Sequence, residues 1–113
     1  MINDSENNPK YIPFHINGFI SFMKYYSFVK KYTEEEIEEL RVMPYVDYLE
    51  TEHWKLLRMA VLERMGRQCV ICGNSHVEVH VHHLSYRRKG HENINDLTCL
   101  CNECHKKVHH IAL

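Results

Sequence analysis

No apolar run in the 113-residue chain approaches the ~20 residues that a bilayer-spanning helix needs, which excludes a transmembrane helix. There is no surplus of charge: 14 Lys and Arg stand against 15 Asp and Glu, for a net charge of −1. Bulk electrostatics therefore cannot by itself drive binding to nucleic acid. Residues 1–10 are polar and lack the basic start and apolar core of a secretory signal. The expectation is therefore a cytoplasmic chain, where reducing conditions favour metal-bound thiolates over disulfides. Internal repeats and low-complexity linkers are also missing, and at this length one domain is the default.

What the chain does have is concentrated in residues 69–109. Cys69 and Cys72 form one C-x2-C knuckle, and Cys101 and Cys104 form another, with 28 residues between them. Two residues between thiols let both point at one ion. Two such knuckles supply the four thiolates of a structural Zn²⁺ site. Gly73, directly after Cys72, suits the tight turn of such a knuckle because glycine tolerates positive φ. The gap between knuckles is long enough to hold a folded element. Cys99, the fifth cysteine, sits in an expected strand and reads as a buried free thiol.

Most of the ten histidines fall between residues 80 and 110. His105 and His109 are four apart, so on a helix starting near Asn102 they share a face. His82 ends the stretch Val77-Glu-Val-His-Val-His82, which alternates apolar and polar as a half-buried strand does. Val77, Val79 and Val81 are expected to face the core, and Glu78, His80 and His82 the other side. A zinc-clipped loop can bring the His82 strand against the His105/His109 helix. Three imidazoles around one divalent ion, with coordination positions left open, is a catalytic arrangement. Nitrogen ligands suit Zn²⁺, Mn²⁺, Ni²⁺ or Co²⁺ better than Mg²⁺.

With these residues set out, the chain resembles the HNH endonucleases, in the subset with paired CxxC knuckles. The resemblance is carried by Val81-His82-His83-Leu84, Asp96-Leu97, Leu100-Cys101-Asn-Glu-Cys104-His105 and His109. Upstream, Tyr48-Leu49-Glu-Thr-Glu-His53-Trp54, Arg58, Leu62, Gly66 and Cys69 are similar to that subset's lead-in helix. The resemblance covers about residues 48–110. It implies an α+β fold with a ββα-metal core and structural zinc, preceded by N-terminal helices. It implies metal-dependent hydrolysis of DNA, double-stranded DNA being the expected partner, to 5′-phosphate and 3′-hydroxyl products. It implies that His83 is the general base and that His82, His105 and His109 hold the catalytic metal. The family's central Asn, which props the loop behind the base, falls at Asp96. Asp accepts hydrogen bonds but lacks the amide's donors, and Asn93 and Asn95 lie nearby as substitutes. Two other readings stand beside this one: a zinc-stabilised DNA-binding module without catalysis, and a purely structural zinc protein.

The remaining chain reads as support. Residues 1–47 are expected to form a helical extension and 48–113 the nuclease domain, as one compact unit. Phe19, Phe22, Tyr26 and Val29 recur at helical spacing, with Asn17 as N-cap, against the hairpin signal of Asn17-Gly18. Thr33-Glu-Glu-Glu36 is a capping box for a helix that Pro44 ends. Thr51 or a near neighbour starts the next helix, whose apolar stripe is Trp54, Leu57, Val61, Leu62 and Met65 and whose stop is Gly66. His53 is expected at the surface. His91 and Glu92 could each stand behind the metal or His83, with solvent exposure the favoured reading. Charge is unevenly spread. Residues 33–52 set Glu34, Glu35, Glu36, Glu38, Glu39, Asp47, Glu50 and Glu52 against Arg41 alone. Arg87, Arg88, Lys89, Lys106 and Lys107 lie on the histidine side. Arg87, Arg88 and Lys106 are the candidates for phosphate contact.

Overall fold

The computed structural model describes residues 16–112, and the surroundings of side chains 19–108. Residues 1–10, expected to fray, and the side chain of His109 lie outside the described residues.

Local sequence signals set most of the helix ends. Helix α1 spans Ile16–Val29, so Asn17-Gly18 is helical, and Asn17 lies inside the helix instead of capping it. Its inward face also differs from the expected stripe. Tyr25 and Val29 are buried and Phe22 is partly so, while Phe19 and Tyr26 are exposed. The 22, 25, 29 rhythm is as helical as the expected one, and what decides between them is the surface each meets. Helix α2 spans Glu34–Val42 behind the capping box, with Thr33 Oγ1 accepting from Glu36 N–H and Glu36 accepting from Thr33 N–H. Its acids form a solvated face and it buries no residue. A single turn, α3, covers Tyr45–Tyr48 after Pro44.

Helix α4, Glu52–Arg64, starts at Thr51, whose hydroxyl accepts from Trp54 N–H. It ends in a Schellman motif: Arg67 N–H bonds to Leu62 C=O and Gly66 N–H to Glu63 C=O. Gly66 takes φ +68°, the left-handed conformation that this stop requires. Leu57, Ala60, Val61 and Leu62 are buried at the centre of the core, and α1 packs along this helix.

Strand β1, Val79–His83, pairs antiparallel with β2, Leu97–Cys101, with Val79 opposite Cys101 and His83 opposite Leu97. Alternation along β1 sends Val79, Val81 and His83 inward and His80 and His82 to the other face. The strand begins two residues later than expected, and Val77 is exposed rather than in the core. Every residue of β2 is buried, because α4 and α5 both pack against it. Helix α5, Asn102–Ala112, follows directly. The fold is therefore α+β: N-terminal helices, then a two-stranded antiparallel pair followed by a helix. No helix among the described residues is long and apolar enough to cross a membrane.

Candidate functional site

The two cysteine knuckles meet. At the first, Gly73 adopts φ +72° and its N–H closes the turn onto Cys69 C=O at 2.9 Å. Val70 N–H bonds to Cys99 C=O at 2.9 Å, which stitches the knuckle to β2. At the second, Cys101 ends β2 and its Sγ accepts from Cys104 N–H at 3.4 Å. The first turn of α5 thus takes a sulfur acceptor from Cys101, with Asn102 already inside the helix.

The four Sγ atoms of Cys69, Cys72, Cys101 and Cys104 lie within 4.8 Å of one another. Cys72 and Cys101 are 3.8 Å apart, far beyond the ~2.05 Å of a disulfide. The spacing matches the edge of about 3.8 Å that follows for a tetrahedron of Zn–S bonds near 2.3 Å. This largely buried cluster can hold a structural Zn²⁺. Burial raises the Cys69 thiol, yet backbone N–H groups at Cys72, Cys101 and Ile71 outweigh it and bring it down to about 6. The hydrogen bond with Cys101 pushes Cys104 up to about 12. Cys99 stands outside the cluster, fully buried, with its thiol raised to about 11 by burial.

On the far face of β1, α5 brings His105 onto His82. His82 Nδ1 and His105 Nε2 are 3.1 Å apart, with ring centroids at 4.9 Å and planes 69° apart. That separation suits one shared proton. It also suits two nitrogens bound to one ion at about 2.1 Å, for which adjacent ligands sit roughly 3.0–3.4 Å apart. His80, two residues back on the same face, stacks at 6.1 Å on His105. His109 lies one helical turn beyond His105 on α5.

His83 faces the opposite way, into the core. Its side chain is 0% exposed. Trp54 stacks on the ring at 5.4 Å and Tyr86 at 4.7 Å. His83 Nε2 meets Glu92 Oε2 at 2.9 Å, and Nδ1 meets the Tyr45 hydroxyl at 3.4 Å. Burial pushes the Tyr45 phenol up to about 12.

Glu92 is the hub of this region. Expected in solvent, it is 4% exposed. Besides His83, it accepts from His53 Nε2 at 2.7 Å, from Gly90 N–H at 2.9 Å and from the Tyr48 hydroxyl. Its backbone carbonyl takes the Tyr25 hydroxyl at 2.7 Å. Burial alone would raise its carboxyl; the hydrogen bonds from His53, His83 and Tyr48 outweigh that and hold it well below the usual range. His53 likewise corrects the sequence reading: it is buried, and its Nδ1 meets the Tyr32 hydroxyl at 3.0 Å. A signal for His53 was present, since it sits on the Leu57, Ala60, Val61 face of α4 at i−4, i−7 and i−8. Glu92, a lone carboxylate in a polar loop, leaves no periodic trace. His91, as expected, is exposed.

Asp96 closes the 3₁₀ turn Ile94–Asp96 that leads into β2. Its carboxylate accepts from the Arg88 guanidinium and from Asn93 N–H, and its backbone C=O takes Leu84 N–H at 2.7 Å. Arg88 holds the Asp96 carboxyl below its usual value. The residue just after His83 is therefore propped by the Asp96 main chain, while its side chain works as an acceptor only. Asn93 caps the turn at Asn95 N–H, and Asn95 accepts from Arg64. Arg88 is engaged with Asp96, whereas Arg87 and Lys106 are exposed.

No family model, curated protein or solved structure matches this chain.

Proposed function

We propose that the protein is a metal-dependent endonuclease that hydrolyses phosphodiester bonds in DNA, of the HNH type that the motifs resemble. One observation carries the reading: His82 Nδ1 and His105 Nε2 converge to 3.1 Å where α5 crosses β1, beside a sulfur cluster that ties α5 and the end of β2, the partner strand of β1, to the first knuckle. His82, His105 and, by its spacing, His109 would hold the ion. A divalent ion there supplies a Lewis acid for the charge that develops on the phosphate oxygens and the leaving O3′. Zn²⁺, Mn²⁺, Ni²⁺ and Co²⁺ suit the nitrogen donors.

The remaining work belongs to the chain. His83 takes the proton of the attacking water at Nδ1, its Nε2 being engaged with Glu92. Arg87 and Lys106, exposed on the histidine side, meet the phosphate backbone. Asp96 holds the loop that carries Arg88 and follows the base.

A second reading, a zinc-stabilised DNA-binding module without catalysis, is favoured by the enclosure of His83. Water reaches Nδ1 only if Tyr45 or Tyr86 gives way. A plasmid-cleavage assay across Mn²⁺, Mg²⁺, Ni²⁺, Co²⁺ and Zn²⁺ separates the two. The nuclease reading expects cleavage by the wild-type chain and a loss of about 10²–10⁴-fold in His83→Ala. DNA retention without cleavage in every metal selects the binding module.

A further inference from the structure

We propose that Glu92 is the positioning residue of the candidate base: its carboxylate holds His83 as the Nε2–H tautomer, leaving Nδ1 as the basic nitrogen. Through its other oxygen it ties that setting to His53 on α4, and through its main-chain carbonyl to Tyr25 on α1. This rests on the nuclease reading, which names His83 as the base.

The geometry is specific. Glu92 Oε2 receives His83 Nε2 and the Tyr48 hydroxyl, and Oε1 receives His53 Nε2 and Gly90 N–H. An ionised carboxylate has about four acceptor positions and no donor. All four are filled, so each facing ring nitrogen must bring the hydrogen. In a neutral imidazole the other nitrogen is then the acceptor. For His53 that nitrogen takes the Tyr32 hydroxyl, and for His83 it takes the Tyr45 hydroxyl. The two histidines are chemically alike around one carboxylate, but only His83 adjoins His82, whose ring meets His105.

The carboxylate itself cannot drift. Its side chain is 0% exposed, and its loop is pinned where Gly90, at φ +96°, packs on α2. A Cβ at Gly90 would lie 2.7 Å from Ile37 C=O. Partners on α1 (Tyr25), α3 (Tyr48) and α4 (His53) converge on the same residue. A pin for packing alone would be served as well by an apolar side chain, which avoids the desolvation of a charge. A carboxylate is needed if the task is to choose which imidazole nitrogen carries hydrogen.

Long-range ¹H–¹⁵N spectra of the zinc-loaded wild-type chain read the tautomer directly. The expected result is His83 protonated at Nε2, and an Nδ1–H tautomer overturns the proposal without reference to any variant. Glu92→Gln then presents an amide that can turn its NH₂ toward one ring. Loss of an orienting carboxylate from a catalytic histidine costs up to about 10⁴-fold in kcat elsewhere. Here plasmid cleavage should fall by at least about 10²-fold in kcat, with KM and zinc content unchanged. Glu92→Asp, which keeps the charge, should recover part of it. Tyr32→Phe, which removes the hydroxyl on His53 Nδ1, should leave the His83 tautomer and kcat as in wild type. Wild-type kcat in Glu92→Gln overturns the positioning role. A wild-type chain that cleaves in no metal brings down the nuclease reading itself, and is distinguishable because the failure precedes any substitution.

Discussion

The ring of Trp54 lies nearly parallel to that of His83, with centroids 5.4 Å apart and planes 19° from coplanar. A helix that precedes the first cysteine knuckle thus supplies part of the wall around the candidate base. Tyr48 packs on Trp54 at 5.6 Å, so α3, α4 and β1 meet in one aromatic cluster. Truncating Trp54 removes the largest side chain in it.

Trp54→Ala should destabilise the fold by about 3–5 kcal/mol, the usual range for removing a buried large aromatic. Trp54→Phe should cost less. Urea unfolding followed by circular dichroism measures both, and equal midpoints for wild type and Trp54→Ala would contradict the packing described.

Substituting any one of the four clustered cysteines by serine should lower bound zinc by one ion per chain. The same change at Cys99 should leave the zinc count intact, because that thiol is buried apart from the cluster. Metal analysis of the purified variants decides this. Chelation of the zinc should loosen first the join of β2 to α5, where Cys101 Sγ accepts from Cys104 N–H, and hydrogen exchange at residues 101–105 would report it.

His82→Ala and His105→Ala should each abolish binding of a second divalent ion while sparing the cysteine-bound one. Calorimetric titration with Mn²⁺ or Co²⁺ reads the stoichiometry. If both variants still bind two ions, the 3.1 Å approach of their rings is a shared proton and no more.

Acid should expose the Glu92 network. Its carboxyl lies below the ordinary value of 4.5 in the folded chain. A depressed carboxylate contributes stability that is complete above the unfolded value and fades as pH falls through the folded one. The stability difference between wild type and Glu92→Gln should therefore be full at neutral pH and shrink below about pH 4.5. Urea midpoints for both proteins from pH 7 to 3 give the comparison; a constant difference across that range would show that Glu92 is not held ionised.

The sequence was most readable where a local rule acts alone. Thr33 with Glu36, Thr51 with Trp54, and Gly66 and Gly73 specify their caps and turns within four residues, and each stands as expected. The C-x2-C spacing and the alternation around His82 reached further, because a knuckle and a strand each carry direction as well as identity. Partners separated by long stretches of chain were less legible. Glu92 meets Tyr48 and His53 across 44 and 39 residues, and nothing in a polar loop announces a buried carboxylate. The expected inward face of α1 holds at Phe22 and Val29 and fails at Phe19 and Tyr26 for a related reason. Its aromatics fall on several faces, and only the groove beside α4 selects Tyr25 over Tyr26. Asp96 looked like a weakened asparagine. In the fold its donors come from Arg88 and Asn93, so an acceptor is what the position uses.

The phenols around Glu92 bear on where this chain can be divided. Tyr25, Tyr32 and Tyr45 all precede residue 48, where the sequence leads one to expect the second domain to begin, yet their hydroxyls reach Glu92, His53 and His83. An excised fragment starting at Tyr48 would keep every cysteine and every histidine proposed as a ligand. It would also leave the Glu92 main-chain carbonyl and the outer nitrogens of His53 and His83 without their phenol partners, and would have to flood that interior with water or collapse around it. The N-terminal helices are thus less an appendage than the missing half of a polar interior.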